Sequence, residues 1–204
     1  MPTMFTTATS ANDNMANFET LVVLDPVANS KGQKNCAVMT SDSQNAFWTL
    51  QSPVTPIWQP SAFKGISGES TGKLSLCVNA DPGVMAEAAS LDAWALDYAT
   101  TESMRLFGRS LTRDQVVDRY NGALKISTDK PSYLKFKLGV DRNAPNYWTN
   151  AKEKRETPED FPRCLLQCRL RIVGIWFMGN SFGLTIQLAD AQVISEEAGA
   201  SCPF

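Results

Sequence analysis

The chain of 204 residues is 43% hydrophobic and 20% charged, a composition typical of a folded domain and not of a disordered chain. Its formal net charge of −2 excludes a uniformly basic coat protein but allows a local cationic patch. The sequence contains no histidine, which excludes imidazole-based catalysis and the common histidine zinc sites. We therefore expect a protein without enzymatic activity and without a metal or organic cofactor.

The sequence lacks the features of a membrane or secreted protein. Its longest apolar run, residues 172–178, is far shorter than the roughly 20 residues of a membrane-spanning helix. Residues 1–17 carry no Lys or Arg and include Asp13, unlike a presequence. Five cysteines, an odd number at scattered positions, do not form a disulfide framework. These features predict an intracellular protein with reduced thiols.

The first half of the chain is predicted to contain short strands followed by helices. Residues 1–17 show no hydrophobic periodicity and are expected to form a flexible arm, so the fold begins at Phe18. Short apolar runs bounded by turn residues predict strands at 20–24, 36–40, 46–50 and 73–79. Asp81 followed by Pro82 is typical of a helix start, and Thr112 with Gln115 has the spacing of a capping box. We predict helices over about 82–121, the first continuing to Phe107 and a second, shorter one running from Thr112 to about Tyr120.

The second half of the chain returns to strands. They are predicted at 123–127 and 133–140 and, after a polar loop over 141–162, at 164–173, 175–178 and 184–193, with a hairpin turn at 179–183. Strands, then helices, then strands argue against an alternating βαβ chain. We therefore predict a mainly β fold with a helical insertion (β+α). It is a closed or nearly closed antiparallel barrel over 18–194, followed by a flexible tail over 195–204.

The run 133–140 carries the clearest functional pattern. Its even-numbered apolar residues occupy one face, whereas Tyr133, Lys135 and Lys137 occupy the other. The two lysines lie about 7 Å apart, close to the repeat of phosphates along an extended single nucleic-acid strand. The alternative is a solvated outer face on which lysine protects an edge strand.

The charge distribution favours the first of these interpretations. Residues 105–171 contain fifteen basic and eight acidic side chains, a net charge of +7, so the rest of the chain carries −9. Such asymmetry within a small domain indicates a cationic groove on an acidic body. Arg169 and Arg171 share one face of a later strand and are predicted to extend the lysine track.

Aromatic side chains beside polar or proline-rich segments would supply surfaces on which bases stack, each contributing about 1–3 kcal/mol. The candidates are Trp58, Phe63, Tyr133, Tyr147 and Trp148, and the alternative for each is packing in the core or in a loop. Trp176 lies in an apolar context and is predicted to be a core residue. Cys164 and Cys168 are also predicted to be core residues, because their spacing on a strand exceeds the reach of a disulfide.

Residues 171–193, RIVGIWFMGNSFGLTIQLADAQV, resemble the closing hairpin of the single-stranded DNA-binding proteins predicted in large eukaryotic DNA viruses. That family is related in fold to the T7-like phage single-stranded DNA-binding protein. Residues 24–34, 50–53 and 133–137 and the long helix ending at 106–108 match the same pattern, so the resemblance covers most of 18–194. It implies an OB-fold-like barrel with an inserted helix.

The resemblance implies a viral protein that coats single-stranded DNA without strong sequence preference during DNA replication, recombination or repair. Its expected location is the site of DNA replication, in a viral replication compartment or the host nucleus. It also implies a C-terminal tail that docks on replication proteins. Glu196, Glu197, Pro203 and Phe204 fit such a tail, although two glutamates are fewer than an acidic run, and a frayed terminus is the alternative.

The residues and the resemblance together define one predicted binding surface. The predicted single-stranded DNA-binding residues are Tyr133, Lys135, Lys137, Tyr147, Trp148, Arg169, Arg171, Trp58 and Phe63. The alternative function is a structural or assembly β-barrel, such as a virion or scaffold component. Such a protein would self-associate into a homo-oligomer through its complementary charges.

Overall fold

The strands and helices alternate in blocks along the chain. The computed structural model describes residues 18–29, 33–64, 70–126 and 131–196. Within these ranges the first six strands are β1 (Leu21–Val23), β2 (Val27–Ala28), β3 (Lys34–Thr40), β4 (Ala46–Thr49), β5 (Ser61–Lys64) and β6 (Ser70–Asn79). Three helices follow: α1 (Pro82–Thr101), α2 (Ser103–Phe107) and α3 (Arg113–Val117). The later strands are β7 (Leu124–Lys125), β8 (Tyr133–Leu138), β9 (Asn146–Trp148), β10 (Lys154–Arg155), β11 (Cys164–Met178) and β12 (Ser181–Glu196).

The strands form one curved sheet with the order β1-β3-β11-β12-β8-β6-β5. The segment 54–56 closes this sheet, because Val54 pairs with Leu166 of β11 and Pro56 pairs with Val78 of β6. The long β11–β12 hairpin turns at Gly179, whose φ of 58° favours glycine. The predicted mainly β, OB-fold-like barrel with a helical insertion is confirmed.

The strand pairing differs from the sequence prediction in one respect. β12 pairs in parallel with both β8 and β9, whereas the sequence predicts a wholly antiparallel barrel. The chain returns from β8 to β12 through a long connection that contains β9, β10 and β11, and strands joined by such a connection can run in parallel. Alternation of side chains along a strand does not reveal the direction of its neighbours.

The barrel interior is filled by alternate side chains of the strands. Leu134, Phe136 and Leu138 of β8 are buried as predicted, but Val140 lies beyond the end of the strand and is 44% exposed. Cys164 and Cys168 of β11 are buried, which confirms them as core residues. Burial raises the pKa of the Cys168 thiol to about 12, so this thiol stays protonated at neutral pH.

Helix α1 packs against the barrel through its apolar face. The buried residues of that face are Val84, Ala88, Leu91, Ala95 and Ala99. Glu87 is 5% exposed, and its carboxylate accepts hydrogen bonds from the Trp48 indole N–H at 2.6 Å and the Gln51 backbone N–H at 3.1 Å. These two donors satisfy a carboxylate that would otherwise be costly to bury. They also tie α1 to β4.

The helix starts follow the predicted signals, whereas the helix lengths differ. Asp81 caps α1 by accepting from the Val84 N–H at 2.8 Å, and Thr112 and Gln115 form both hydrogen bonds of the capping box. The helix predicted to continue as far as residue 107 is divided at Glu102 into α1 and α2. The next helix, expected to reach about residue 120, ends at Val117. No helix in the described ranges is long and apolar enough to cross a membrane.

The prediction of a flexible C-terminal tail over 195–204 is wrong at Glu196. This residue is the last of β12, pairs with Cys164 of β11 and forms an ion pair with Arg155 at 2.6 Å. It therefore belongs to the sheet and not to a flexible tail. The predicted N-terminal arm over 1–17 and the tail residues Glu197, Pro203 and Phe204 lie outside the described residues.

Candidate nucleic-acid interface

A groove with a volume of about 410 Å³ opens between β8 and the β11–β12 hairpin. β8 and β12 pair at Lys137–Gln187 and Leu138–Leu188. Lys135 and Thr185, two residues before this pairing on each strand, both line the groove. We call this feature the lysine groove. The lining residues used below are Lys125, Lys135, Lys137, Trp176, Met178 and Thr185.

Three lysines give the groove its positive charge. Lys135 and Lys137 project from the outer face of β8, as the alternation predicted, while Leu134 and Phe136 project into the core. Lys125 comes from β7, where it lies opposite Tyr133 of β8, and its ammonium group donates a hydrogen bond to the Asn121 side chain. Sequence reasoning counted Lys125 in the basic segment but did not assign it to a site.

Trp176 also lines the groove, which corrects its prediction as a core residue. The alternation of β11 changes phase after Ile172: Ile172 pairs with Ile186 and Gly174 with Thr185, so Val173 is an extra residue. Trp176 consequently points away from the buried Phe177. Its indole lies across Gly183, where a Cβ atom would approach Cζ2 at 2.9 Å. The absence of a side chain at Gly183 therefore makes room for the indole.

Two of the predicted stacking residues meet next to the groove. The rings of Trp58 and Tyr133 are 6.2 Å apart and nearly perpendicular, at 75°. The Ile57 N–H donates to the Cys77 carbonyl of β6 at 2.9 Å, which places Trp58 beside the strand that pairs with β8. Trp58 is 58% exposed, so this large ring is available at the surface.

The predicted extension of the lysine track onto β11 involves an intervening strand. Lys137 lies opposite Gln187 of β12, and Gln187 lies opposite Arg171 of β11. Arg171 in turn lies opposite Phe47 of β4, which is 39% exposed. Lys137 and Arg171 are thus two strand spacings, about 10 Å, apart in a row that crosses the barrel.

Arg169 and Trp148 share the carboxylate of Asp190. The Arg169 guanidinium lies 3.4 Å from this carboxylate and 3.8 Å from the centre of the Phe47 ring. The Trp148 indole N–H donates to the same carboxylate at 3.4 Å. Arg169 and Trp148, predicted from separate parts of the sequence, are therefore adjacent.

The prediction of Tyr147 as a stacking residue is wrong. Its side chain is 3% exposed and packs edge-on against Phe161, with the ring centres 6.0 Å apart. Its strand β9 pairs with β12 at Ala191, and both residues face the core. Burial raises the pKa of its phenol. Phe63 belongs to β5, but its side chain lies outside the described part of the structure.

The wall of the groove at residues 121–125 is anchored to helix α1 by the half-buried carboxyl group of Asp92. The Tyr120 hydroxyl donates to Asp92 at 2.6 Å, and the Asn121 N–H donates to the Phe182 carbonyl at 2.8 Å. Burial raises the pKa of Asp92 above its ordinary value of 3.8, against the opposing effects of hydrogen bonds from Tyr120 and Ala123 and the charge of Lys125. The folded state therefore holds this proton more tightly than the unfolded chain does.

Replacing Asp92 by asparagine is expected to change the pH dependence of stability. A carboxyl whose pKa is raised on folding contributes stability below its unfolded pKa, and this contribution is lost as the pH rises through the folded pKa. The asparagine amide would keep an acceptor for Tyr120 without the charge. The stability of Asp92→Asn relative to the native protein should therefore rise from about pH 4 towards neutrality. Urea unfolding across this range measures the difference, with Asp97→Asn on the exposed face of α1 as the control. A difference that is constant with pH would contradict the assignment.

The fold is similar to that of known phage proteins. The single-stranded DNA-binding protein from bacteriophage Enc34, solved in complex with ssDNA, is 14% identical and superposes with a TM-score of 0.50 over 87% of this chain and 98% of that chain. The single-stranded DNA-binding protein gp2.5, encoded by bacteriophage T7, is 14% identical with a TM-score of 0.46 over 78% of this chain and 96% of that chain. No family model and no curated protein matches the sequence. The first of these similarities supports a relationship in fold with a phage protein, whereas the predicted link to large eukaryotic DNA viruses stays a prediction.

Proposed function

We propose that this protein binds single-stranded DNA and coats it without strong sequence preference during DNA replication, recombination or repair. The observation that carries the proposal is the lysine groove, in which three cations on neighbouring strands lie beside the Trp176 indole and beside the exposed Trp58, whose ring contacts Tyr133. A protein of similar fold has been solved with ssDNA bound.

The arrangement suits a single strand better than a duplex. Lysines spaced about 7 Å apart along β8 can follow successive phosphates. Trp58, Tyr133 and Trp176 offer ring faces, and bases can stack on such rings only when they are unpaired. Neither type of contact selects one base, because every nucleotide has a phosphate and a π face. Binding at the lysine groove and its neighbouring rings is therefore sequence-tolerant.

The remaining features of the proposal concern partners and location. We place the protein inside the cell at sites of DNA replication, and we assign contacts with replication proteins to Glu197, Pro203 and Phe204 of the tail. Among the described residues, no three His, Cys, Asp or Glu side chains cluster so as to hold a metal ion. The proposed binding relies on the chain's own side chains, without a cofactor and without catalysis.

Titration with a fluorescent oligo-dT of about thirty nucleotides, and in parallel with the corresponding duplex, tests the proposal. Anisotropy should report tight binding to the single strand and weak binding to the duplex, with quenching of tryptophan emission. If five cations neutralise phosphates, log K should fall with log[salt] with a slope of about −3.5. Absence of binding at low salt would reject the function and favour the assembly protein, for which salt-sensitive self-association would be expected.

A further inference from the structure

A second cavity, with a volume of about 170 Å³, lies on the same outer face of the barrel as the lysine groove. We call it the Trp148 pocket. Its side walls come from β11, β12 and the β9–β10 hairpin, and the lining residues used in the argument are Trp148, Lys152, Gln167, Arg169, Asp190 and Gln192. The volume is below the roughly 300–1,000 Å³ of pockets that hold drug-sized ligands, so the Trp148 pocket fits one small ring system.

The β9–β10 hairpin and a bulge in β12 build the pocket. β9 pairs with β12 in parallel, so that Trp148 lies opposite Gln192, and Lys152 turns the chain into β10 with a left-handed φ of 61°. Arg169 pairs with Asp190 while Leu170 pairs with Leu188, which makes Ala189 the extra residue of a bulge. Bulges re-aim the following side chains, and this one brings Asp190 to the outer face of β12 that also carries Gln187.

The carboxylate of Asp190 is an oriented acceptor. Its side chain is 16% exposed, and it accepts from Asn146 at 3.2 Å and from Trp148 and Arg169 at 3.4 Å. Contact with the Phe47 ring at 3.8 Å also holds the Arg169 guanidinium in place. Because an ionised carboxylate offers about four acceptor positions, Asp190 can take a further donor from a ligand.

Two glutamine side chains that line the pocket each use the amide nitrogen in a hydrogen bond to the protein backbone. The Gln167 amide N–H donates to the Leu50 carbonyl, and the Gln192 amide N–H donates to the Asn150 carbonyl at 3.4 Å. Both partners are backbone carbonyls, which accept and cannot donate, so each amide must present its nitrogen to them. The oxygen atoms of Gln167 and Gln192 are then available as acceptors, and the Gln167 amide keeps one further N–H.

We propose that the Trp148 pocket takes one base of the bound strand, against the Trp148 indole, and prefers cytosine to thymine. The inference rests on the proposed single-stranded DNA binding. Carboxylate and amide oxygens accept from the exocyclic amino group of cytosine, whereas thymine presents a carbonyl oxygen at the same position. The cations Arg169 and Lys152 can donate to the cytosine carbonyl. A purine that carries an amino group is larger than cytosine and fits 170 Å³ less well.

The position of the pocket allows one strand to reach both sites. Arg169 and Arg171 lie on the same face of β11, about 7 Å apart, which is one phosphate repeat along an extended strand. Arg171 belongs to the row that continues through Gln187 to Lys137 in the lysine groove. A backbone that leaves the groove along this row therefore arrives at the Trp148 pocket.

The test compares oligo-dC and oligo-dT of equal length by anisotropy, at a slightly alkaline pH where cytosine is not protonated. The full chain should bind oligo-dC about tenfold more tightly, since one well-matched base contact is worth about 1–3 kcal/mol of discrimination. Oligo-dC carrying N4,N4-dimethylcytosine, which has no amino donor, should lose this preference without any change in the protein. Asp190→Asn should reduce the preference towards unity, and Asp97→Asn on α1 should retain it.

Each outcome decides a different part of the inference. Equal affinity of the native protein for oligo-dC and oligo-dT would overturn the pocket while leaving single-stranded DNA binding intact. A preference that survives N4 dimethylation would also overturn it, because the amino group would then not be recognised. No binding to either oligonucleotide at low salt would reject the proposed function and the pocket together.

Discussion

Replacement of both Lys135 and Lys137 by alanine is expected to weaken single-stranded DNA binding about 25-fold at about 0.1 M salt and to flatten the salt dependence by about 1.4 units of slope. Each phosphate neutralised on a single strand contributes about 0.7 to the slope through released counterions, and the two lysines act in the same groove. The experiment is a series of anisotropy titrations with oligo-dT at several salt concentrations. The folded state is expected to remain intact, because Lys137 is exposed and Lys135 is only half-buried.

The matched control removes two cations from the helical insertion. Arg109→Ala with Arg113→Ala makes the same change in net charge, but neither residue lines the lysine groove, and Arg113 pairs with Asp97 on α1. The slope should stay as in the native protein. If both double variants lowered the slope equally, the attraction would be a diffuse property of the net charge, and the groove would lose its role.

Replacement of Trp58 by alanine is expected to lower the affinity for oligo-dT by about 5- to 150-fold, the equivalent of 1–3 kcal/mol for one lost stacking platform. The slope of log K against log[salt] should not change, because no phosphate contact is removed. Stability should change little, since Trp58 is 58% exposed and its ring contact is with Tyr133. Anisotropy gives the affinity and urea unfolding gives the stability.

Trp58→Phe provides the control for this prediction. It keeps an aromatic face beside Tyr133 and should recover most of the lost affinity. Trp94→Phe changes a tryptophan that stacks on Tyr98 of α1, 6.1 Å away, and should leave binding unchanged. An affinity of Trp58→Ala equal to that of the native protein would remove the Trp58 ring from the binding surface.

The local patterns of the sequence predicted the elements that carry the lysine groove. Alternation in β8 placed Lys135 and Lys137 on one face and Leu134 and Phe136 on the other, because side chains of a strand alternate with a period of two. The capping signals located the starts of α1 and α3 for an equally local reason, since a cap bonds to a backbone N–H two or three residues away.

The incorrect predictions, in contrast, concern residues whose positions depend on distant parts of the chain. Trp176 changed from the core to the groove because of the extra residue in β11, and the segment around Tyr147 belongs to a strand where a loop was expected. Glu196 is held by Arg155, a partner 41 residues away. Bulges and pairing with distant strands depend on what lies across the barrel, and a single stretch of sequence does not contain that information.

The sequence by itself determined that the chain is mainly β with a helical insertion, that it lacks imidazole chemistry and that positive charge is concentrated in its second half. The tertiary structure decided which of these charges act together. It brought Lys125 and Lys135 into one groove, put β12 between Lys137 and Arg171, and joined Trp148 to Arg169 through Asp190. The reason is physical: periodicity and capping arise within a few residues, whereas a binding surface is made by strands that become neighbours only when the barrel closes.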